Sequence, residues 1–167
     1  MTTGTSLDQV SNIYRTLMKS PAAASGVRAS QEIYEAEGLL DAAARETVAL
    51  CVAARTSCAY CSAAHQPLAQ AAGLSEDDIK AVLNSRTAPT ARIRLVAAAA
   101  RRLLDTAGAI GRDERADFRA EGLSDAELVE IVGLIGLYMT ATFAANLFEP
   151  PLDPEIRRQR LNEEDSS

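Results

Sequence analysis

The segment between residues 58 and 65 holds side chains whose types and spacing suit thiol chemistry. Cys58 and Cys61 form a CxxC pair, and His65, the only histidine among 167 residues, follows Cys61 by four positions. On a helix this spacing places the sulfurs about one turn apart, where a disulfide can close, with the imidazole on the same face. A lone helical histidine is more often structural, but an imidazole beside two thiols can accept a proton near neutral pH. The pattern predicts a redox-active cysteine pair served by His65.

The position of the pair along its helix bears on the reactivity of the thiols. Ser57 is a candidate N-cap, which would place Cys58 at the first helical position and Cys61 within about one turn of it. Helix N-termini stabilise thiolates, and the thiolate is the reactive form. Cys58 lies nearer the helix start, whereas Cys61 lies nearer His65, so the sequence leaves open which sulfur attacks.

Glu46 is a second candidate for acid–base chemistry. Its helical neighbours are Ala49, Leu50 and Ala53, which directs its carboxylate towards the apolar side of a helix. A buried carboxylate is costly unless it has a partner. The helix dipole stabilises a carboxylate within the first turn of a helix. With Asp41 as the predicted N-cap, however, Glu46 lies beyond that turn. A functional carboxylate and an ion-paired structural one both fit this pattern.

Three further residues near the pair have competing interpretations. Cys51 lies among apolar residues and is predicted to be a small buried side chain rather than a catalytic thiol. Tyr60, between the cysteines, either lines a substrate entrance or lies on the surface. Pro67 would clash with the preceding turn of a continuous helix. We therefore expect the helix to kink or restart just after His65, which would leave a backbone carbonyl free near the site.

Helices must position these residues, because helical signals recur along the chain and strand signals are nearly absent. Alanine, the strongest helix former, is abundant, whereas there are only three Phe, four Tyr and no Trp. Helix starts are predicted at Ser6, Ser20-Pro21, Asp41, Ser75, Thr90 and Ser124. Four of these helices are predicted to end near Lys19, Thr56, Gly108 and Phe148. The expected fold is all-α.

A single domain is predicted for residues 1–167, because no low-complexity linker divides the chain. It comprises a core at 22–104, a closing helix at 124–148 and a charged tail at 155–167. The longest apolar stretch, residues 131–145, falls short of the roughly 20 residues that span a bilayer and indicates a core or interface helix.

Composition also limits the expected partners and compartment. Seventeen basic and 23 acidic residues give a net charge of −6, which argues against binding to nucleic acid or to a membrane. The first residues lack the basic start and apolar run of a secretory signal, so we expect a cytoplasmic protein. Structural disulfides are rare there, which favours redox chemistry or metal binding for the cysteines.

The spacing of the four candidate residues resembles a known signature. Glu46, an eleven-residue gap and Cys58-x-x-Cys61-x-x-x-His65 resemble the AhpD-like alkylhydroperoxidases of the carboxymuconolactone decarboxylase superfamily. The flanking residues 45–50 and 72–75 agree with it. Some members carry a second histidine where this chain has Tyr60. The decarboxylase members lack the cysteine pair, so lactone decarboxylation is disfavoured.

This resemblance implies an all-α, homo-oligomeric peroxidase that needs no cofactor. One thiolate would attack a hydroperoxide to give a sulfenic acid, and the other thiol would close a disulfide. Glu46 and His65 would map onto the proton relay. An external dithiol, in some members a lipoyl group on a partner protein, would then reduce the disulfide.

Other functions fit parts of the pattern. A thioredoxin-like oxidoreductase should show alternating strands and helices, which this sequence lacks. A structural zinc site needs four ligands, so Cys51 or Glu46 would have to join the two cysteines and His65. The pair could also be a non-enzymatic thiol sensor, or a structural motif in a helical interaction module. Such a sensor would oxidise once and stop, whereas an enzyme would turn over.

Overall fold

The computed structural model describes residues 11–158, and every regular element in this range is a helix. The predicted all-α fold is thus confirmed. Eight complete helices follow one another: α1 (Asn12–Leu17), α2 (Pro21–Glu37), α3 (Ala42–Arg55), α4 (Ala59–Ala71), α5 (Glu76–Leu83), α6 (Ala91–Thr106), α7 (Arg112–Ala120) and α8 (Asp125–Phe148). A further helical stretch begins at Pro154.

Most helices begin where capping residues predict. Side chains accept backbone N–H groups at the starts of α2, α3, α5 and α8, from Ser20, Asp41, Ser75 and Ser124. Thr90 precedes α6 as predicted, but its hydroxyl donates to Asp78 instead of capping the helix. The predicted cap Ser6 lies outside the described residues, and α1 begins after Ser11.

Helix α7 was not predicted from the sequence. It buries none of its side chains, and Gly111 precedes it without any side chain that could cap it. A helix start is recognised from a capping residue followed by an apolar period. Because α7 has neither feature, the sequence contains no signal for it.

Helix α3 lies at the centre of the molecule and contacts α4, α5, α6 and α8. Every side chain from residue 47 to residue 53 is buried. Its alanines, together with those of α6, allow the helix axes to approach closely. Glu46 therefore projects from a fixed element at the point where α3 meets α4.

Helix α8 is longer than the apolar run that predicts it. It has 24 residues, and an 18-residue window within it has a mean hydropathy of 1.8, enough by length and composition to span a bilayer. The expectation of too short a segment, made for residues 131–145, therefore does not extend to the whole helix. It packs against α1, α2, α3, α4 and α6. Leu128, Ile131 and Leu134 are buried there, whereas Val129 and Leu147 are exposed. Its contacts make α8 a core helix with a second, uncovered apolar face.

Candidate active site

Glu46 and His65 face each other from α3 and α4. The Glu46 Oε2 to His65 Nδ1 distance is 2.8 Å, and the side chains are 16% and 20% exposed. An ionised carboxylate only accepts hydrogen bonds, so Nδ1 of His65 carries a hydrogen and donates a hydrogen bond to Glu46. Nε2 is then left for a reacting group. The inward carboxylate predicted from the sequence thus has His65 as its partner.

Tyr138 of α8 contacts the other side of the imidazole. The two ring centroids are 5.3 Å apart and the rings are nearly perpendicular, at 83°. Burial, with the nearby Glu46 charge, raises the pKa of Tyr138, so its hydroxyl keeps its proton. Tyr138 was missed by sequence reasoning. A tyrosine within the long apolar stretch was the one available signal, because its hydroxyl needs a polar environment.

The cysteine pair follows directly after the tight turn that joins α3 to α4. The Ser57 N–H donates to Ala54 O and the Cys58 N–H to Ala53 O, with Ser57 left-handed at φ 51°. These bonds form a Schellman motif that closes α3. Ser57 therefore belongs to the end of α3, and its predicted role as the N-cap of α4 is wrong. Cys58 is the N-cap, and its sulfur accepts the Cys61 N–H at 3.3 Å.

The two thiols have opposite electrostatic environments. A hydrogen bond from the Cys61 thiol, backbone N–H groups of Cys61 and Tyr60 and the charge of His65 together lower the pKa of Cys58 to about 7, against the effect of burial. The pKa of Cys61 is raised, because its thiol donates to Cys58 and is itself buried. Cys58 is thus the thiol of the pair that ionises more readily.

Both sulfurs are reduced and well covered. Cys58 is 1% exposed and Cys61 4%, in a small cluster that includes Ala53, Tyr60 and Ala145. Hydrogen bonds between the four predicted site residues join Cys58 with Cys61 and Glu46 with His65. The structure therefore brings these residues together as two adjacent pairs, linked by the charge of His65 acting on Cys58.

A cavity of about 750 Å³ lies beside the Glu46–His65 pair. All four tyrosines of the chain line it, together with apolar residues of α1, α2 and α8: Tyr14, Tyr34, Tyr60, Tyr138, Leu17, Val27, Leu134 and Leu137. The two cysteine sulfurs lie behind Tyr60 and Ala64 rather than in its wall. This tyrosine cavity is large enough for an organic molecule of moderate size.

Tyr60 is buried, at 7% exposed, so its interpretation as a surface residue is wrong. It lines the tyrosine cavity instead. Its hydroxyl donates to Asp153 Oδ2 at 2.5 Å and accepts the Ile13 N–H at 3.2 Å. Asp153 also accepts the Asn12 N–H at 2.8 Å. Tyr60 thus ties α1 and the C-terminal segment to α4, a link across 93 residues that no local sequence signal reveals.

Pro67 does not break α4. Helix α4 runs from Ala59 to Ala71 with Pro67 inside it, so the predicted restart after His65 is wrong. Pro67 lines the tyrosine cavity. Because Pro67 has no N–H, it leaves the Ala63 carbonyl without its usual helical donor. Helix continuity keeps His65 in phase with Cys61.

Cys51 belongs to a different buried cluster from Cys58 and Cys61. It is buried on α3, its thiol points at Ala97 O at 3.9 Å, and burial raises its pKa to about 12. This environment matches the predicted buried side chain. Within residues 11–158, no three His, Cys, Asp or Glu side chains are grouped so that they could hold a metal ion.

Comparisons with known proteins agree with the signature. The model of the carboxymuconolactone decarboxylase family matches residues 22–105, half of the chain. Among solved structures, the chain is similar to an uncharacterized peroxidase-related protein from Silicibacter sp. TM1040, with a TM-score of 0.73 over 90% of this chain and 80% of that one. The two are 19% identical, so this likeness shows the fold alone. No curated protein matches the sequence.

Proposed function

The chain belongs to the carboxymuconolactone decarboxylase family, and we propose that it is an AhpD-like thiol peroxidase that reduces organic hydroperoxides through Cys58 and Cys61. The observation that carries this proposal is the sulfur of Cys58, which accepts the Cys61 N–H at a helix start while its pKa is lowered to about 7. A thiolate at neutral pH is the nucleophile that peroxide reduction requires.

The proposed reaction has an oxidative and a reductive half. The Cys58 thiolate attacks the terminal peroxide oxygen, the O–O bond breaks, and Cys58 becomes a sulfenic acid while the alkoxide takes a proton and leaves as alcohol. The Cys61 sulfur then attacks Cys58, and water leaves as the disulfide forms. An external dithiol reduces this disulfide and is itself oxidised to a disulfide.

Glu46 and His65 serve as the proton relay in this scheme. The carboxylate fixes the imidazole through Nδ1 at 2.8 Å, which frees Nε2 to exchange protons with the reacting groups. His65 supplies the alkoxide proton, then takes the proton of the Cys61 thiol and passes it to the departing hydroxide, which leaves as water. The Tyr138 ring against the imidazole limits its rotation.

The tyrosine cavity supports an uncharged organic hydroperoxide as the substrate. Its volume of about 750 Å³ exceeds what hydrogen peroxide needs, and its walls are largely aromatic and aliphatic. Its lining includes four carboxylates and one guanidinium, those of Glu35, Glu46, Asp153, Glu155 and Arg45. A carboxylated hydroperoxide would meet repulsion there.

Oxidation of the reduced protein by cumene hydroperoxide tests the proposal directly. Trypsin cuts after Arg45, Arg55 and Lys80, so Cys58 and Cys61 share the peptide 56–80, whereas Cys51 falls in the peptide 46–55. We expect the peptide 56–80 to lose two hydrogens and the peptide 46–55 to stay reduced. Scattered methionine oxidation without this loss would contradict the peroxidase scheme.

A thiol sensor is the second candidate, and the burial of both sulfurs favours it. Cys58 is 1% exposed, which would suit an occasional oxidation as well as a catalytic cycle that requires local opening. Turnover separates the two functions. With excess dithiothreitol, an enzyme consumes many equivalents of cumene hydroperoxide, whereas a sensor consumes one.

The uncovered face of α8 supports self-association, which we propose as the native state. Val129, Val132, Phe143 and Leu147 are each at least half exposed along this helix. So long an apolar stripe is typical of an interface. Light scattering should show a homo-oligomer, and V132K should dissociate it. We also propose a cytoplasmic location, where a CxxC pair is more often redox-active than structural.

A further inference from the structure

A second cavity shares Tyr60 with the tyrosine cavity. Its volume is about 550 Å³, and Tyr60 lines both cavities. The second cavity is formed by Thr56, Ser57, Ala59, Tyr60, Ala145, Asn146, Glu149, Pro150 and Leu152. Tyr60, held by Asp153 and the Ile13 N–H, therefore belongs to the walls of both cavities.

The second cavity borders the redox pair more closely than the tyrosine cavity does. Ser57 and Ala59, the residues on either side of Cys58, are exposed and line it. Tyr60 and Ala145, which pack against the two cysteines, line it as well. A molecule in this cavity would thus contact the residues that precede and follow Cys58 in the chain.

The walls of the second cavity are fixed by the ends of two helices. Asn146 Nδ2 donates to Thr56 O at 2.8 Å, which ties the last turn of α8 to the end of α3. Left-handed residues close both helices there, Ser57 at φ 51° and Glu149 at φ 47°. Glu149 is the only charged residue in the described lining. The fixed side-chain charge of this cavity is therefore negative.

We propose that the second cavity is the docking site of the reducing dithiol, and that it selects uncharged dithiols over anionic ones. This inference rests on the proposed function, because only a redox cycle needs a reductant. The hydroperoxide occupies the tyrosine cavity beside Glu46 and His65, and the dithiol approaches Cys58 from the second cavity, between Ser57 and Ala59. Oxidant and reductant then never compete for one cavity.

The reductive step in the second cavity is an ordinary thiol–disulfide exchange. One donor thiolate bonds to the Cys58 sulfur, the Cys58–Cys61 bond breaks, and the Cys61 sulfur takes up the proton that the donor thiol released. The second donor thiol then loses its proton to solvent and attacks the donor's other sulfur in the mixed disulfide. Cys58 leaves as a thiolate, and the donor leaves as a disulfide.

The charge of Glu149 allows the reductive half to be tested by itself. The Cys58–Cys61 disulfide is prepared with diamide, which needs no peroxidase activity, and is then reduced by dithiothreitol (uncharged) or dihydrolipoate (anionic) in separate stopped-flow runs. We expect E149K to raise the ratio of the dihydrolipoate rate to the dithiothreitol rate by about three- to tenfold at low salt. The control E121K makes the same charge change on an exposed residue outside both cavities.

A steric variant adds an independent readout. A59W fills the second cavity, and we expect reduction by dithiothreitol to slow at least about tenfold more than oxidation by cumene hydroperoxide, with A59S close to the parent protein. An unchanged rate ratio in E149K, or an equal change in E121K, would overturn the docking site. Disulfide reduction that follows these expectations, in a protein that cumene hydroperoxide does not oxidise, would contradict the peroxidase function alone.

Discussion

The backbone N–H of Cys61 donates to the sulfur of Cys58 at 3.3 Å, so the second cysteine of the pair holds the first one at the start of α4. The thiol of Cys61 also donates a hydrogen bond to the sulfur of Cys58, which lowers the pKa of Cys58 and raises the pKa of Cys61. The sequence left open which cysteine attacks the peroxide. This relationship favours Cys58 as the nucleophile and Cys61 as the resolving thiol.

Cysteine variants test that order of events. In C61S, cumene hydroperoxide should convert Cys58 to a sulfenic acid that dimedone traps in the peptide 56–80, because no resolving thiol remains. In C58S we expect no trapped product and a loss of at least about 100-fold in the oxidation rate. Trapping on Cys61 in C58S, with none on Cys58 in C61S, would reverse the assignment.

The pH dependence of alkylation should follow the thiolate of Cys58. With its pKa lowered to about 7, labelling by iodoacetamide should rise with a midpoint near pH 7. C61A removes the leading cause of the shift and should move that midpoint upward, towards the ordinary value of 9.0. Since the folded pKa lies below the unfolded one, the thiolate contributes stability that is complete above pH 9 and lost as the pH falls through 7. If the midpoint in C61A stayed near pH 7, a group other than Cys61 would be responsible for the lowered pKa of Cys58.

Removing the negative charge of Glu46 should slow oxidation without unfolding the protein. E46Q keeps the size of the side chain but weakens its hold on Nδ1 of His65, and we expect oxidation by cumene hydroperoxide to slow about 10- to 100-fold. Since Glu46 acts through the imidazole, adding E46Q to H65Q should cost little more. Circular dichroism supplies the check on folding. If the rate losses of E46Q and H65Q instead added in the double variant, Glu46 would act independently of His65.

The hydroxyl of Tyr60 should contribute to stability. Y60F removes the donor to Asp153 and the acceptor of the Ile13 N–H, at an expected cost of about 1–2 kcal/mol. For a chain of this length that corresponds to a fall in Tm of about 2–8 °C. Y14F, in the same cavity wall, is the matched control for the loss of one hydroxyl. Equal Tm values for Y60F and Y14F would argue against the bridging role of Tyr60.

Substrate charge should govern the rate of oxidation. The lining of the tyrosine cavity carries more carboxylates than cations, so kcat/KM should be higher for cumene hydroperoxide than for linoleic acid hydroperoxide. The difference should narrow as salt is added, because surface charges are screened within about 10 Å at 0.1 M. A preference for the anionic substrate that salt abolishes would point to Arg45 as a carboxylate anchor.

The sequence by itself determined the features that are written locally. Capping side chains at Ser20, Asp41, Ser75 and Ser124 fixed four helix starts, because a cap acts on the next three residues. The spacing of Cys58, Cys61 and His65 on one helix, with the inward position of Glu46, indicated the candidate site. Its assignment as a catalytic site stays a prediction until activity is measured.

Only the tertiary structure decided how those elements meet. The Schellman motif that makes Ser57 the end of α3, and so makes Cys58 the cap of α4, depends on how two helices share one turn. The contacts of Tyr138 with His65 and of Tyr60 with Asp153 join residues 73 and 93 positions apart. Side chains so distant come together only when the bundle packs, and no periodicity or cap along the chain encodes their meeting.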